Sequence, residues 1–162
     1  MYRLFLLCLA SGQCPPSSIL SSSSAATLVE RSPGVYSPSA LVSPAPSPWT
    51  SIPGASWIWE TNADTAGEYT FVNTFILADW AKTSVSSLQL TIASDNFYSV
   101  TFNGVVVAAQ WKGWYSYVDQ YELKPWLLGS SAAIGTQLNT LQIEVKNTDG
   151  PGGLLYQLTV VY

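Results

Sequence analysis

Four aromatic residues lie close together in one segment of this 162-residue chain, and their side chains suggest the clearest chemistry in the sequence. They are Trp111, Trp114, Tyr115 and Tyr117, with polar residues such as Lys112 between them. Flat apolar rings can stack on the C–H face of a pyranose while neighbouring polar groups hydrogen-bond its hydroxyls. The same rings could instead cover one open end of a β-structure. The segment therefore indicates either a ligand or partner surface, or an end cap of the fold.

Two pairs of polar residues stand where the chain is expected to turn. Asp95 and Asn96 follow an alternating apolar segment, and Asn147 and Asp149 precede a glycine-rich run at 150–153. Asp and Asn side chains hydrogen-bond their own backbone at such corners, so turn chemistry is the first interpretation and ligand contact the second. The glycine-rich run does not match a phosphate-binding loop, because no Lys-Ser or Lys-Thr follows it.

The composition argues against several classes of function. The chain has no His, which removes the commonest general base and the commonest metal ligand. A net charge of −4 gives little attraction to nucleic-acid phosphates. The two cysteines, Cys8 and Cys14, both lie near the start, so the remaining fold cannot depend on a disulfide or a thiolate metal site. No pattern fixes two carboxylates across a cleft, as glycoside hydrolysis requires. We therefore expect a protein that is not an enzyme and does not bind nucleic acid.

Alternating apolar and polar residues predict an all-β body that begins at Gly54. The segments 84–94 and 140–147 alternate with a period of two rather than 3.6. Between two further alternating segments stands Asn103-Gly104, a strong hairpin signal, because both central positions of a type I′ turn need a positive φ. Short strands separated by glycine-marked turns predict an antiparallel β-sandwich, or jelly roll, over residues 54–162.

Two segments precede this body. Residues 1–14 contain one positive charge and an apolar run at 4–10 that is too short to span a bilayer. This pattern fits a secretory signal peptide, or an apolar segment that packs on a neighbour. Residues 15–53 hold most of the ten prolines and the serine run 21–24, and are expected to form an extended, mostly polyproline-like linker or arm. Such a segment could be a flexible spacer or could become ordered along a partner.

The body resembles the galactose-binding-domain-like β-sandwich, a jelly roll similar to carbohydrate-binding modules, over about residues 55–162. The resemblance rests on the segment 92–105 with its Asn-Gly turn, on Tyr121-Glu122-Leu123, on Leu127-Leu128-Gly129 and on the final segment 141–155. Ser94 and Glu122 depart mildly from the family pattern, in which Ala and Asp are usual.

This resemblance implies carbohydrate binding by a non-catalytic module, because similar modules are appended to glycoside hydrolases and to cell-surface proteins. It also implies that the loop at 147–153 borders the ligand face. Many members of the family hold a structural calcium ion near the first strands, where Glu60, Asn62 and Asp64 would supply oxygen ligands here. No other cofactor is expected.

Two functions fit these features. The first is a secreted carbohydrate-binding module displayed on an extracellular or particle surface. The second is a structural subunit of a virion or an extracellular filament, in which the N-terminal arm contacts neighbouring subunits and low surface charge favours packing. The expected partners are thus a glycan or neighbouring protein subunits, with a homo-oligomer or larger assembly in the second case. The two functions do not exclude each other.

Overall fold

A computed structural model of the chain describes residues 17–43, 45–61, 65–78, 85–124 and 136–162. These ranges form strands and connecting turns, and none of them contains a helix able to cross a membrane. The predicted leader, residues 1–14 with both cysteines, lies outside the described residues.

The strands form two antiparallel sheets of six strands each. Sheet A contains β1 (Ser17–Ser22), β4 (Ala40–Leu41), β5 (Ile58–Trp59), β7 (Ser87–Asp95), β10 (Asp119–Leu123) and β12 (Gly153–Val161). Sheet B contains β2 (Leu28–Ser32), β3 (Val35–Pro38), β6 (Gly67–Ala78), β8 (Phe97–Phe102), β9 (Val105–Lys112) and β11 (Thr136–Asn147). The strand order is β10-β7-β12-β5-β4 in sheet A, where β1 also pairs with β12, and β3-β2-β6-β11-β8-β9 in sheet B. The predicted all-β antiparallel sandwich is confirmed.

The core lies between the two sheets and follows from the alternation in the sequence. On β11, Leu141, Ile143 and Val145 are buried, while the residues between them are exposed. Leu88 and Leu90 of β7 are buried in the same cluster from the other sheet. Successive side chains of a strand point to opposite faces, so a period of two places every second residue in the core. Burial of these side chains supplies the main favourable term of folding.

The Asn103-Gly104 hairpin is also confirmed. The two residues join β8 to β9, and their φ angles are +49° and +79°. The Asn103 side chain also ties the turn to the neighbouring strand: its Nδ2 donates to Asn139 Oδ1 at 2.9 Å, and its Oδ1 accepts from Thr140 N at 2.8 Å. The turn is therefore fixed by both its backbone conformation and its side-chain bonds.

The segment 15–53, expected to be an extended linker or arm, contributes four strands to the two sheets. Its serine and threonine hydroxyls surround the buried phenol of Tyr156. Thr27 Oγ1 lies 3.2 Å from Tyr156 OH, and Ser21 Oγ donates to the same oxygen at 3.4 Å. Tyr156 N donates to Ser23 Oγ at 3.0 Å. Small hydroxyl residues can enter a core when a buried polar group needs partners, and these contacts tie this part of the chain to the sandwich.

Candidate functional site at the loop end of the sandwich

Three connections meet at one end of the sandwich: β7 to β8, β9 to β10, and β11 to β12. We call this the loop end. Two of these connections approach each other closely at Gly113. A Cβ atom on this residue would overlap Ser94 Oγ and lie 2.8 Å from the Ser94 carbonyl oxygen. It would also lie 3.0 Å from the Asn96 carbonyl oxygen. Only glycine allows the aromatic connection to pass this close to the corner at 94–96.

Asn96 joins two of these connections through its carboxamide. Its Oδ1 accepts from Thr148 N at 2.9 Å and from Thr148 Oγ1 at 2.8 Å. Its Nδ2 donates to Asp95 Oδ1. These bonds go to a neighbouring side chain and to a second loop, rather than to the backbone of the corner itself as turn chemistry would require.

Asp95 is a nearly buried carboxyl, with an exposed fraction of 8%. Burial raises its pKa, and the negative charge of Asp149 raises it further. Removal from water penalises the charged form of the carboxyl, and a like charge nearby adds to that penalty. Asp149 itself is exposed at the surface of the loop end.

Asn147 is buried beneath the glycine-rich loop, with an exposed fraction of 2%. Its Nδ2 donates to the carbonyl oxygens of Gly150, at 2.8 Å, and Thr65, at 3.2 Å. Its Oδ1 has no hydrogen-bond partner among the described residues. The amide thus holds the loop in place, and ligand contact by Asp95, Asn96, Asn147 and Asp149 stays a prediction.

The aromatic connection splits into an inward and an outward part. Tyr115 turns inward and stacks on Trp49, with ring centroids 6.2 Å apart and an interplanar angle of 26°. Trp49 in turn packs on the buried Trp57 at 4.4 Å. These rings belong to a second apolar cluster that covers Ala93 and Leu155. For Tyr115, the structure matches the end-cap interpretation.

Trp114 and Tyr117 turn outward. Their rings stack on each other with centroids 6.1 Å apart and an interplanar angle of 26°, and their exposed fractions are 41% and 49%. The ammonium of Lys112 lies 4.5 Å from the centroid of the Trp114 ring, within the range of a cation–π contact. The pair therefore forms a partly exposed aromatic surface with one cation over the Trp114 ring.

Trp111 lies apart from this pair, on the edge strand β9, with an exposed fraction of 54%. It is the cross-strand neighbour of Tyr98, whose hydroxyl donates to Asp119 Oδ2 at 2.8 Å and lies 2.6 Å from the Tyr121 hydroxyl. Burial, followed by these two contacts, raises the pKa of Tyr98 far above its usual range. Asp119 and Tyr121 come from sheet A and Tyr98 from sheet B, so the network links the two sheets. Sequence reasoning did not find this network, because its members lie on strands that are separate in the chain.

The predicted calcium ligands are only partly within the described residues. The Glu60 carboxylate pairs with the Arg31 guanidinium and accepts from Thr61 Oγ1. Arg31 Nη2 also donates to the Glu60 carbonyl oxygen at 2.8 Å. Asn62 and Asp64 lie outside the described residues, and calcium binding stays a prediction. Within the described ranges, no three Cys, Asp or Glu side chains group closely enough to hold a metal ion.

Comparison with known proteins finds only distant structural similarity. No family model and no curated protein matches the chain. Among solved structures, a β-D-glucuronidase from Dictyoglomus thermophilum is similar over 90% of this chain and 28% of its own, with 13% identity and a TM-score of 0.48. A GH31 α-xylosidase from Xanthomonas citri is similar over 94% of this chain and 16% of its own, with 9% identity and a TM-score of 0.39. The chain thus spans less than a third of either enzyme, and likeness at this level carries no argument about function.

Proposed function

We propose that this protein is a non-catalytic carbohydrate-binding module that holds a glycan on the Trp114–Tyr117 pair at the loop end. The observation that carries the proposal is that these two rings stack on each other while each remains close to half exposed. Exposed apolar surface costs roughly 25 cal/mol per Å² relative to burial. A stacked aromatic pair left in water is therefore a surface suited to a ligand.

The chemistry around the pair suits a sugar. The C–H face of a pyranose stacks on an indole or phenol ring, and polar groups at the rim can bond its hydroxyls. Lys112 supplies a donor over the Trp114 ring, and the exposed Asp149 supplies an acceptor elsewhere at the loop end. Trp111 is more exposed than Trp114 or Tyr117, and it offers a second aromatic surface on the edge strand β9.

The proposal includes no bond-making step. Asp95, the carboxyl with a raised pKa at this end, is nearly buried and accepts a hydrogen bond from its neighbour Asn96. We further propose that the module acts outside the cell or on a particle surface, in keeping with the signal-like pattern of residues 1–14.

A glycan array tests this proposal most simply. We expect the purified protein to be retained on a subset of neutral glycans, and we expect the Trp114→Ala variant to lose that retention. The Val106→Ala variant, which removes an exposed apolar side chain from the opposite end of β9, is the matched control and should bind as the parent does. Absence of retention on every glycan would contradict the proposal.

A second candidate function, a structural subunit, is favoured by a different observation. The edge strand β3 presents Val35 and Tyr36 to solvent, with exposed fractions of 56% and 48%. An edge strand with exposed apolar side chains can pair with another chain. Size-exclusion chromatography with electron microscopy tests this: a concentration-independent monomer would contradict assembly, and an ordered oligomer lost in Tyr36→Lys would support it.

A further inference from the structure

The outer face of sheet B carries a groove that the sequence did not reveal. Its cavity has a volume of about 430 Å³, within the range usual for small-ligand sites. It is lined by Glu68, Phe97, Tyr98, Ser99, Glu144, Lys146 and Thr148. These residues come from β6, β8 and β11 and from the connection after β11, so they approach one another only in the folded sheet.

One row of side chains crosses the groove from strand to strand. Lys146 of β11 is the register partner of Glu68 on β6 and of Phe97 on β8, and Phe97 is the partner of Lys112 on β9. Four neighbouring strands span about 14 Å at the usual strand spacing. The row ends at Lys112, whose ammonium lies against the Trp114 ring. Strand register therefore connects Phe97 in the groove to Lys112, which contacts the aromatic pair at the loop end.

The groove offers one apolar platform and several hydrogen-bonding groups. Phe97 lines the groove and is exposed. In the next row, Ser99 Oγ donates to Glu144 Oε2 at 3.1 Å, and across the first row Lys146 Nζ lies 4.0 Å from Glu68 Oε2. Exposed pairs of this kind contribute little to stability, so a ligand can replace their mutual contacts at small cost.

The charge balance of the groove favours an uncharged ligand. Glu68, Glu144 and Lys146 all line the groove, and Lys112 ends the row, so the two signs offset each other. The chain as a whole carries a net charge of −4, which opposes the approach of an anionic chain such as a polyuronide. Carboxylates and an ammonium together can accept from and donate to neutral hydroxyls.

We propose that the groove and the Trp114–Tyr117 pair form one continuous site for an extended, neutral oligosaccharide. One sugar unit stacks on the aromatic pair, and the following units lie over Phe97 with their hydroxyls against Glu144, Ser99 and Lys146. This inference rests on the proposed function, and it adds the length and charge of the ligand. A site restricted to the aromatic pair would bind a monosaccharide as well as a longer chain.

The test measures affinity against chain length. Galactose-, glucose- and xylose-based neutral series, each from monosaccharide to hexasaccharide, are titrated by calorimetry into the full chain, with a polygalacturonate series for comparison. We expect affinity to rise with length in at least one neutral series and to be weaker for the uronate chains. We expect Phe97→Ala to lower affinity for the hexasaccharide by about tenfold, the magnitude of one aromatic contact, and to leave the affinity for the shortest bound member within about twofold.

Two further variants keep the test clear if Phe97→Ala perturbs the fold. Glu144→Gln keeps the shape of an exposed side chain and should also weaken only the longer chains, while Phe97→Tyr should restore the parent affinity. Binding without any gain from chain length would overturn the continuous site and leave the proposed function standing. Tighter binding of uronates would overturn the neutral-ligand inference, and absence of binding throughout all series would count against the proposed function itself.

Discussion

Tyr115 and Trp114 are adjacent in the chain, yet their rings lie on opposite sides of the same connection, one packed inward and one facing solvent. Tyr115 stacks on Trp49 above a buried tryptophan and belongs to an apolar cluster, whereas Trp114 stacks on Tyr117 in water. The close approach of Gly113 to the corner at 94–96 fixes where the connection leaves β9. An aromatic-rich loop can therefore close the fold with one ring and present another for recognition.

The largest effect is expected on the buried side of this comparison. Trp57 packs on Trp49 and donates from Nε1 to the Thr50 carbonyl oxygen at 2.8 Å. Its replacement by Ala leaves a cavity and should lower the free energy of unfolding by about 3–5 kcal/mol, as measured by chemical denaturation. An unchanged denaturation midpoint would show that the second apolar cluster does not support the fold.

A smaller effect is expected at the point that separates the two sides. Gly113→Ala forces a methyl group against Ser94 and Asn96 and should lower the free energy of unfolding by about 1–3 kcal/mol. Because the connection must shift, glycan retention should fall in the same variant. Full stability together with full retention would contradict the close approach.

The exposed side should behave in the opposite way. Trp114→Ala removes a ring that is close to half exposed and loses one aromatic and one cation–π contact, so the free energy of unfolding should fall by only about 1 kcal/mol. Retention on glycans should fall at least about tenfold. A large drop in the melting temperature would instead assign Trp114 to the core, and the comparison with Tyr115 would fail.

The smallest effect concerns the pH dependence of stability. The pKa of Asp95 is raised in the folded state above its ordinary value of 3.8, so the folded protein holds this proton more strongly than the unfolded chain does. The associated stabilisation is fully present below pH 3.8 and is lost as the pH rises through the folded-state pKa. Asp95→Asn should therefore reduce this loss. Melting temperatures of the parent and of Asp95→Asn, recorded across acidic pH, measure this difference. An identical pH dependence of the two proteins would contradict the raised pKa of Asp95.

The sequence allowed prediction of features that depend on local pattern. The alternation of apolar and polar residues along β11 predicts which of its faces is buried. The Asn103-Gly104 pair predicts a tight hairpin turn, because a positive φ is a local preference of these residues. The buried serine and threonine hydroxyls around Tyr156 could not be predicted in this way. Their burial depends on a phenol more than a hundred residues away in the chain.

The candidate site was predictable only in part for the same reason. The aromatic segment at 111–117 is continuous in the sequence, so its chemistry could be recognised, but the direction of each ring depends on packing against Trp49 and on the approach of Gly113. The groove on sheet B depends on the register of three strands, β6, β8 and β11. Phe97 and Lys146 become neighbours only when β8 pairs with β11.

Indole NMR gives the most direct test of the central claim, that exposed rings at the loop end bind sugar while the buried rings close the fold. The Nε1–H signals are assigned by single Trp→Phe variants and followed during titration with the neutral oligosaccharide best retained on the array. We predict that the Trp114 signal shifts in a saturable way. The signals of Trp57 and Trp59, whose Nε1–H groups donate to Thr50 and Thr65, should stay fixed. Saturable binding that leaves the Trp114 signal unmoved would contradict the account.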